Sequence, residues 1–209
     1  MRNDILCALP SYDGFTRTET AASLANLHVP GGYRMKVMAF DGYGIAHARN
    51  KMAKEALDGG YGYLLMVDSD IIVPEDGLGM LFSSMMDKCG AGVAVGYYPT
   101  SSEGESGMTC AYPDTSPRFE KPYMTFEIDL LREDVQRQDI PLRGTGLGFA
   151  LIDVDVFKRI RKPWFKQRFD SDGIGLSEDM WFCNACRDKG IKIMLNTHAR
   201  CGHVVSRTL

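Results

Sequence analysis

Two aspartates separated by one residue follow a dense apolar run, and their spacing suits the binding of a divalent cation. Asp68, Ser69 and Asp70 come directly after the apolar residues 63–67. Ligands of a parallel α/β sheet bind beyond the carboxyl ends of its strands. Carboxylate oxygens are hard ligands that suit Mg²⁺ or Mn²⁺ carrying phosphate oxygens. A solvated Asp-rich turn is the alternative, but the strand in front of the pair favours a cation site.

Arg49 could also take part in chemistry, because it lies within the apolar stripe of a predicted helix. The stripe includes Ile45, Met52 and Ala53, and Arg49 is four residues from Ile45 and from Ala53. A guanidinium that faces a core needs an anionic partner, since an unpaired buried charge costs too much free energy. Two partners remain open: an internal carboxylate such as Asp68, or the phosphates of a bound nucleotide.

Two acids open a late predicted helix. Ser177 is a residue type that caps helices, and acids in a first turn are stabilised by the helix dipole, which accounts for one acid. However, both Glu178 and Asp179 fall on the side of the helix that carries Trp181 and Phe182. Partial burial shifts the pKa of an acid at the end of such a face. Glu178 and Asp179 are therefore candidates for a general base.

A histidine and a glycine cluster complete the candidate residues. His203 lies just past the last predicted strand. A lone histidine is usually structural, whereas an imidazole that joins two carboxylates would suit Mn²⁺ better than Mg²⁺. Residues 144–148 have the spacing G-x-G-x-G, which is not a dinucleotide fingerprint. We interpret these glycines as small residues that let the backbone approach a bound substrate closely.

Alternating strands and helices must position these residues. In the first half, strands are predicted at residues 4–9, 33–40, 63–67 and 92–98, and helices at 16–27, 44–57 and 76–87. In the second half, a long loop is predicted at 99–122, strands at 123–130, 147–152 and 191–195, and a helix at 177–189. Strands alternating with helices of this length indicate an α/β fold with a mainly parallel sheet and helices on both faces.

The composition is that of an ordinary globular protein. Hydrophobic residues make up 44% and charged residues 24%, and the net charge of −3 gives no electrostatic footprint for nucleic acid or an anionic membrane. The apolar runs are too short to span a bilayer and no signal peptide opens the chain, so a cytoplasmic location is expected. The six cysteines are scattered, and we predict that Cys183 and Cys186 are buried thiols rather than a zinc pair.

Taken in order, these motifs resemble the GT-A glycosyltransferases, especially the family 2-like branch. The matching motifs are Pro10-Ser11-Tyr12, Ala48-Arg49-Asn50, Asp68-Ser69-Asp70, Gly146-Leu147-Gly148-Phe149, Glu178-Asp179 and His203. The resemblance spans nearly the whole chain. It implies a single GT-A domain over residues 1–209, with a nucleotide-sugar-binding half at 1–98 and an acceptor-side half at 99–209.

The resemblance also implies the parts that the residues play. The donor would be a nucleotide sugar, with a UDP-sugar expected, and the acceptor a glycan or another hydroxyl compound. Pro10, Ser11 and Tyr12 would line the pocket for the base, with Arg49 nearby.

The remaining roles concern the metal and the chemistry. Asp68 would contact the ribose or the metal, and Asp70 would ligate the Mn²⁺ (or Mg²⁺) that bridges the donor diphosphate, with Ser69 between them. His203 would be a third metal ligand. Asp179, the second acid of the pair with Glu178, would deprotonate the acceptor in an inverting displacement.

Three alternatives remain open. The run that ends in Asp68-Ser69-Asp70 also resembles the first motif of haloacid dehalogenase-type phosphatases, in which the first aspartate is a nucleophile. A second alternative is a nucleotide- or glycan-binding module without turnover. A third keeps the fold but retains the anomeric configuration of the sugar.

Overall fold

The computed structural model describes residues 3–11, 14–41, 44–86, 90–99, 108–109, 111–114, 128–129, 139–169, 171–173 and 175–204. The strands are β1 (Asp4–Ser11), β2 (Arg34–Asp41), β3 (Tyr63–Val67), β4 (Ile71–Ile72), β5 (Val93–Tyr97), β6 (Met108–Thr109), β7 (Ala111–Pro113), β8 (Ile128–Asp129), β9 (Asp139–Thr145), β10 (Phe149–Asp153), β11 (Arg168–Phe169), β12 (Gly175–Leu176), β13 (Ile193–Arg200) and β14 (Gly202–His203). The helices are α1 (Thr18–Ala25), α2 (Ile45–Asp58), α3 (Gly77–Met86), α4 (Val156–Arg159) and α5 (Glu178–Asp188).

The main sheet has eight strands in the order β2-β1-β3-β10-β5-β13-β9-β7. β1 pairs in parallel with β2 and with β3, and β5 pairs in parallel with β13. β10 is antiparallel to both of its neighbours, and β9 is antiparallel to β13 and β7. Within the main sheet, all strands except β10 and β9 therefore run in the same direction. The expected mainly parallel α/β sheet is confirmed.

Helices cover both faces of this sheet, and each face has its own hydrophobic cluster. Leu64 and Met66 of β3 belong to the cluster that contains residues of α2 and α5. Leu65 and Val67 point the other way, into the cluster with residues of α3. Successive side chains of a strand point to opposite faces, so an uninterrupted apolar run such as β3 is needed where both faces are covered. The carboxyl end of β3 is thereby fixed in the middle of the molecule.

Several predicted elements have the expected positions. β3 has the predicted bounds, and the other first-half elements differ by one or two residues at their ends, apart from residue 87, which lies outside the described residues. Ser177 caps α5, because its hydroxyl oxygen accepts a hydrogen bond from the Met180 amide at 3.4 Å.

Other expectations for the second half were wrong. β9 was not predicted, although it pairs with β13 inside the main sheet. β7 lies within the segment predicted to be a loop, and β13 continues to Arg200 rather than ending at residue 195. The strand predicted at 123–130 lies mostly outside the described residues, and its described part, Ile128 and Asp129, is a strand as predicted, paired with β6 outside the main sheet. Pairing with distant strands decided these elements, since their local periodicity is weak.

The described thiols are buried and free, as predicted. Cys183 and Cys186 lie in the core with Cys7 and Cys201, while Cys89 and Cys110 fall outside the described residues. Burial raises the pKa of the Cys183 thiol to about 12, so it stays protonated at neutral pH. Within the described part of the chain, no helix is both long enough and apolar enough to cross a membrane.

Candidate functional site

The candidate site lies at the carboxyl ends of β1 and β3. These strands are parallel neighbours with Ala8 opposite Met66, and from this pair β3 ends one residue later at Val67 and β1 three residues later at Ser11. Pro10 and Ser11 are buried at the end of β1, and the Ser11 hydroxyl donates a hydrogen bond to the carbonyl oxygen of Phe15 at 2.9 Å. Tyr12 lies outside the described residues.

Three segments hold the backbone of residues 68–70 in place. The Asp68 amide donates to the Gly148 carbonyl at 2.9 Å, and the Arg17 amide donates to the Ser69 carbonyl at 2.9 Å. The Val204 amide donates to the Asp70 carbonyl at 2.8 Å. The aspartate pair therefore sits on a backbone that is fixed from both sides.

Arg49 is the centre of a buried group of charges. Its side chain is only 2% exposed, and its Nη2 lies 3.2 and 3.3 Å from the two carboxylate oxygens of Asp68. Its Nε lies 3.4 Å from a carboxylate oxygen of Glu178 and 3.4 Å from one of Asp179. Nη1 donates to the carbonyl oxygen of Leu147 at 3.3 Å. Of the two partners left open by the sequence, the structure contains the internal carboxylate, and Arg49 ties Asp68 to the start of α5.

The charges in this group do not balance when every acid is ionised, because one guanidinium faces three carboxylates. Burial raises the pKa of Asp179 to about 7, opposed by Arg49 and reinforced by Glu178 and Asp68. Burial also raises the pKa of Asp68, against the influence of Arg49. Although burial alone would lower the pKa of Arg49, the three acids raise it above its ordinary value. Arg49 therefore stays charged, and Asp179 holds a proton in part of the molecules at neutral pH.

Asp70 faces His203 next to this group. β14 pairs with β4, which places His203 opposite Ile71, and the His203 Nε2 lies 3.4 Å from Oδ2 of Asp70. The other ring nitrogen, Nδ1, lies 2.9 Å from the carbonyl oxygen of Pro99. A carbonyl only accepts, so Nδ1 carries a hydrogen, and Nε2 can face the carboxylate either with a second hydrogen or with a lone pair. A proton or a cation between Nε2 and the carboxylate would stabilise this contact.

Tyr98 belongs to the site, although the sequence did not single it out. Its hydroxyl oxygen accepts a hydrogen bond from the Gly148 amide at 3.1 Å, and its ring lies edge-on to His203 with centroids 6.1 Å apart. Burial raises its pKa, and the nearby charges of Asp68 and Asp179 add to that shift. The available signal was its position directly after β5, whose carboxyl end lies at the same edge of the sheet as that of β3.

The glycine cluster allows close contacts with protein side chains. A Cβ atom on Gly148 would lie 2.9 Å from the ring of Tyr98, and one on Gly144 would lie 2.4 Å from the methyl group of Met180. The sequence interpretation placed a substrate against these glycines. At these two positions, the close neighbours are Tyr98 and the first turns of α5.

Asn50, which follows Arg49, connects α2 to residues 163–165. Its side-chain oxygen accepts hydrogen bonds from the amides of Trp164 and Phe165 at 3.0 and 3.3 Å, and its Nδ2 donates to the Phe165 carbonyl at 2.6 Å. The indole of Trp181 donates to the Pro163 carbonyl at 3.1 Å. The same segment is therefore fixed to α2 and to α5, which both carry residues of the charged group.

An open cleft of about 590 Å³ adjoins Asp70. One wall is formed by Ser69 and Asp70, and the other by residues 15–19, which lead into α1. The Asp70 side chain is 42% exposed, whereas that of Asp179 is 17% exposed and that of Glu178 is 7% exposed. Asp70 is thus the acid of the site that is most open to a ligand.

A complete metal site made of protein atoms alone is not present in the described part of the chain. No three His, Cys, Asp or Glu side chains among those residues come together in a way that could hold an ion. The structure brings Asp70 and His203 together, and it directs Asp68 toward Arg49 instead.

Comparison with known proteins shows a likeness in fold. No family model matches the sequence, and no curated protein matches it. Among solved structures, A197 from STIV has a TM-score of 0.64 at 18% identity, covering 99% of this chain and 87% of that one. TarS residues 1–349 from S. aureus has a TM-score of 0.53 at 13% identity, covering 98% and 60%. UTP-bound UGPase from Acinetobacter baumannii has a TM-score of 0.50 at 7% identity, covering 94% and 87%. The fold is therefore of the GT-A type.

Proposed function

We propose that this chain is a metal-dependent glycosyltransferase that moves a sugar from a nucleoside diphosphate sugar to a hydroxyl acceptor. The observation that carries the proposal is the arrangement at the carboxyl edge of β3. An exposed Asp70 faces His203, and next to it Arg49 holds Asp68 beside the partly protonated Asp179. A cation-binding pair and a candidate base at the edge of a GT-A sheet suit a reaction in which a diphosphate leaves and a hydroxyl loses its proton.

The residues present fit a divalent cation. His203 Nε2 and the Asp70 carboxylate face each other at 3.4 Å, and both are atom types that could ligate a divalent cation placed between them. Two protein ligands are enough for this class of site, since Mg²⁺ is usually bound by one or two carboxylates together with substrate phosphates and water. An imidazole ligand favours Mn²⁺ over Mg²⁺. When bound, the ion would stabilise the negative charge that develops on the leaving diphosphate.

The cleft beside Asp70 is the proposed donor site. Its volume of about 590 Å³ lies in the range of ordinary ligand pockets. Residues 15–19 would hold the nucleoside part, with Pro10, Ser11 and Tyr12 leading into that segment. A uridine nucleotide is the expected donor, and the UGPase of the same fold was solved with UTP.

Asp179 is the proposed general base. A pKa near 7 lets a carboxylate accept a proton from a hydroxyl while enough of it is ionised at neutral pH. The acceptor oxygen would bond to the anomeric carbon as its proton passes to Asp179, and the bond from that carbon to the diphosphate would break with its electrons leaving on the diphosphate. Arg49 would orient Asp179 and keep Glu178 beside it. This single displacement inverts the anomeric centre.

The phosphatase alternative requires Asp68 to be a free nucleophile. Both oxygens of that carboxylate lie within 3.3 Å of the Arg49 guanidinium, which stabilises the ionised acid and lowers its reactivity. Residue contacts at the site therefore favour glycosyl transfer over phosphate-ester hydrolysis.

Thermal unfolding with a panel of nucleotides and nucleotide sugars, each with and without Mn²⁺, tests the proposal. A nucleoside diphosphate at one hundred times its Kd stabilises a protein by about 2.7 kcal/mol, which raises the unfolding temperature measurably. We expect this shift only when the metal is present, and we expect Asp70→Asn to abolish it. Asp76→Asn, which changes an exposed acid paired with His28, is the matched control and should keep the shift.

A metal-dependent shift that persists in Asp70→Asn would refute the proposed donor site. A second measurement separates an enzyme from a binding module: Asp179→Asn should keep the nucleotide shift and lower the rate of transfer by about 10²- to 10⁴-fold. Donor binding by the wild-type protein without transfer or donor hydrolysis would instead support the module, and the anomeric configuration of the product distinguishes inversion from retention.

A further inference from the structure

A strongly basic stretch of the chain lies on the surface beside α2. Residues 158–168 contain no acidic residue and six basic ones, namely Lys158, Arg159, Arg161, Lys162, Lys166 and Arg168. All six are exposed, whereas Ile160, Trp164 and Phe165 of the same stretch are buried in the core. The apolar residues therefore anchor the segment and turn its positive charges outward. The net charge of −3 for the whole chain conceals this local excess.

This segment and α2 form the two walls of a groove of about 450 Å³. On the α2 side, the lining residues are His47, Asn50, Lys51 and Lys54, which share one face of the helix because they are spaced at i, i+3, i+4 and i+7. The opposite wall includes Lys162 and Trp164. Seven residues of helix correspond to about 10 Å, so the groove is long enough to receive a short chain rather than a single small ion.

Lysine side chains lie on both walls of the groove. Three lysines and a histidine line it, and the described residues contribute no carboxylate to the lining. Lys162 holds its ammonium 4.7 Å above the centre of the Trp164 ring, which keeps the charge over the groove. Lys54 pairs with Asp58, so part of its charge is balanced on the surface of α2.

Hydrogen bonds join the two walls of the groove. The Asn50 side chain bonds both backbone groups of Phe165 and the amide of Trp164, which locks the walls together. Asn50 directly follows Arg49, whose guanidinium contacts Asp179. α2 starts at the same edge of the sheet as the site, because it follows the carboxyl end of β2, which runs parallel to β1. The His47 end of the groove is therefore the end that lies toward this edge of the sheet.

We propose that this groove binds a negatively charged stretch of the acceptor, so that the acceptor is a glycan bearing carboxylate or phosphate groups. The proposal rests on the proposed function, since it assigns the acceptor of the same transfer. A groove about 10 Å long between two elements fits a single extended chain, whereas a membrane is matched by a broad flat face and a duplex by a wider concave one. Ammonium groups spaced along the groove would pair with anionic groups on successive sugars, while the hydroxyl to be modified lies toward Asp179.

Fluorescence anisotropy with two labelled hexasaccharides tests the proposal at low ionic strength. Hexagalacturonate carries one carboxylate per sugar, and maltohexaose is uncharged. We expect the protein to bind the first and not the second, with affinity that falls as salt rises. The triple variant Lys51→Gln/Lys54→Gln/Lys162→Gln should weaken binding by about tenfold, since three exposed ion pairs together contribute on this scale.

A matched control removes the same charge elsewhere. Lys36→Gln/Lys189→Gln/Lys192→Gln also replaces three exposed lysines and should bind hexagalacturonate within about twofold of the wild type. Equal losses of affinity for hexagalacturonate in both triple variants would overturn the proposal, because binding would then depend only on net charge. No binding of hexagalacturonate by the wild-type protein would also overturn it. The proposal would also be overturned if single-stranded DNA or vesicles rich in phosphatidylglycerol bound more tightly than hexagalacturonate and the groove substitutions weakened that binding.

The same variants separate this proposal from the proposed function. The groove variant should keep the Mn²⁺-dependent shift with a nucleoside diphosphate, because its lysines lie outside the cleft at Asp70. If the wild-type protein lacked that shift but bound hexagalacturonate through the groove, the glycosyltransferase proposal would fail, and the anionic site would stand without its role as an acceptor site.

Discussion

Arg49 decides the electrostatics of the candidate site at the scale of single residues. One buried guanidinium contacts the carboxylate of Asp68, which directly follows β3, and two carboxylates of α5 that lie more than a hundred residues later in the chain. Its sequence context, an arginine in an apolar stripe, predicted a buried charge with an anionic partner. It did not predict that two further acids would share the same guanidinium. Burial is the main cause that raises the pKa of Asp179, and the neighbouring Glu178 and Asp68 add to it against the effect of Arg49.

Replacing Arg49 should therefore destabilise the protein in a pH-dependent way. Arg49→Met leaves three carboxylates buried without a counter-ion, and we expect the free energy of unfolding at pH 8 to fall by about 3–5 kcal/mol. The loss should shrink at pH 5, because the acids can then become neutral. Chemical denaturation at the two pH values measures both effects.

Arg34→Met is the control for this variant, since it removes an arginine that pairs with Asp4 but is 74% exposed. We expect little change in its stability at either pH. If Arg49→Met lost no more stability than Arg34→Met, the charged group would not be the source of stability inferred here.

Asp179 gives a second prediction at this scale, concerning the metal-free protein. Burial raises its pKa from 3.8 to about 7 in the folded state, so between these values the folded protein holds a proton that the unfolded chain has released. Stability must then fall as pH rises across this window and level off above it, as proton linkage requires. Asp179→Asn removes the titrating group, and its free energy of unfolding should decline less between pH 4 and pH 7.

Denaturation curves across that pH range test this expectation. Asp188→Asn changes an exposed acid at the other end of α5 and should keep the wild-type decline. A decline in Asp179→Asn as steep as in the wild type would contradict the assigned protonation of the buried acid.

At the scale of elements, the site depends on close packing between β10, β5 and α5. The segment before β10 passes so near Tyr98 that only glycine fits at position 148 without displacing the ring. Tyr98 in turn lies against His203, so this glycine indirectly sets the position of a candidate metal ligand. Asn50 has a comparable part on α2, where it fixes residues 163–165. These contacts explain why short motifs far apart in the chain form one site.

Gly148→Ala tests the contact with Tyr98. A Cβ atom there would lie 2.9 Å from the ring, so the ring or the backbone must shift, and we expect a loss of about 1–3 kcal/mol of unfolding free energy. Gly79→Ala in α3 is the control, because its Cβ would meet no atom within 4 Å and alanine favours helix more than glycine does. Thermal denaturation should show a lower unfolding temperature for Gly148→Ala than for the wild type, and an equal or higher one for Gly79→Ala. Equal stability of Gly148→Ala and the wild type would contradict the packing described.

At the scale of the whole molecule, one mixed sheet separates two hydrophobic clusters. The central strands β3 and β10 contribute fully buried residues to both clusters, and each strand is paired on both sides. The aspartates thus extend from the most protected part of the fold. Among the described strands, β2 lies at the edge of the main sheet with β1 as its only neighbour, and its pattern is mostly exposed. We therefore expect local stability to be high in the central strand β3 and low in the edge strand β2.

Hydrogen exchange should reveal this distribution. We expect the amides of Leu64, Leu65 and Met66 to exchange only through global unfolding, with protection equal to the full unfolding free energy. The amides of β2 should exchange much faster through local opening. Mass spectrometry of peptides from the two strands measures the difference, and equal protection in β2 and β3 would contradict a core centred on β3.

The sequence alone determined what depends on local pattern. The apolar run of β3 and the alternation of strands with helices indicated the α/β sheet, and Asp68 and Asp70 were placed at its carboxyl edge because parallel strands share that edge. The capping role of Ser177 also followed from local residue type. The motifs in order were enough to indicate the GT-A fold.

Tertiary structure decided which distant residues meet. The insertion of β10 between β3 and β5, the convergence of Glu178 and Asp179 on Arg49, and the pairing of His203 with Asp70 all depend on contacts between segments far apart in the chain. The periodicity of a segment can indicate that it is a strand, but it does not indicate which other strands it pairs with. The basic groove was hidden for a related reason, because net charge sums over the whole surface and does not record where the charges lie.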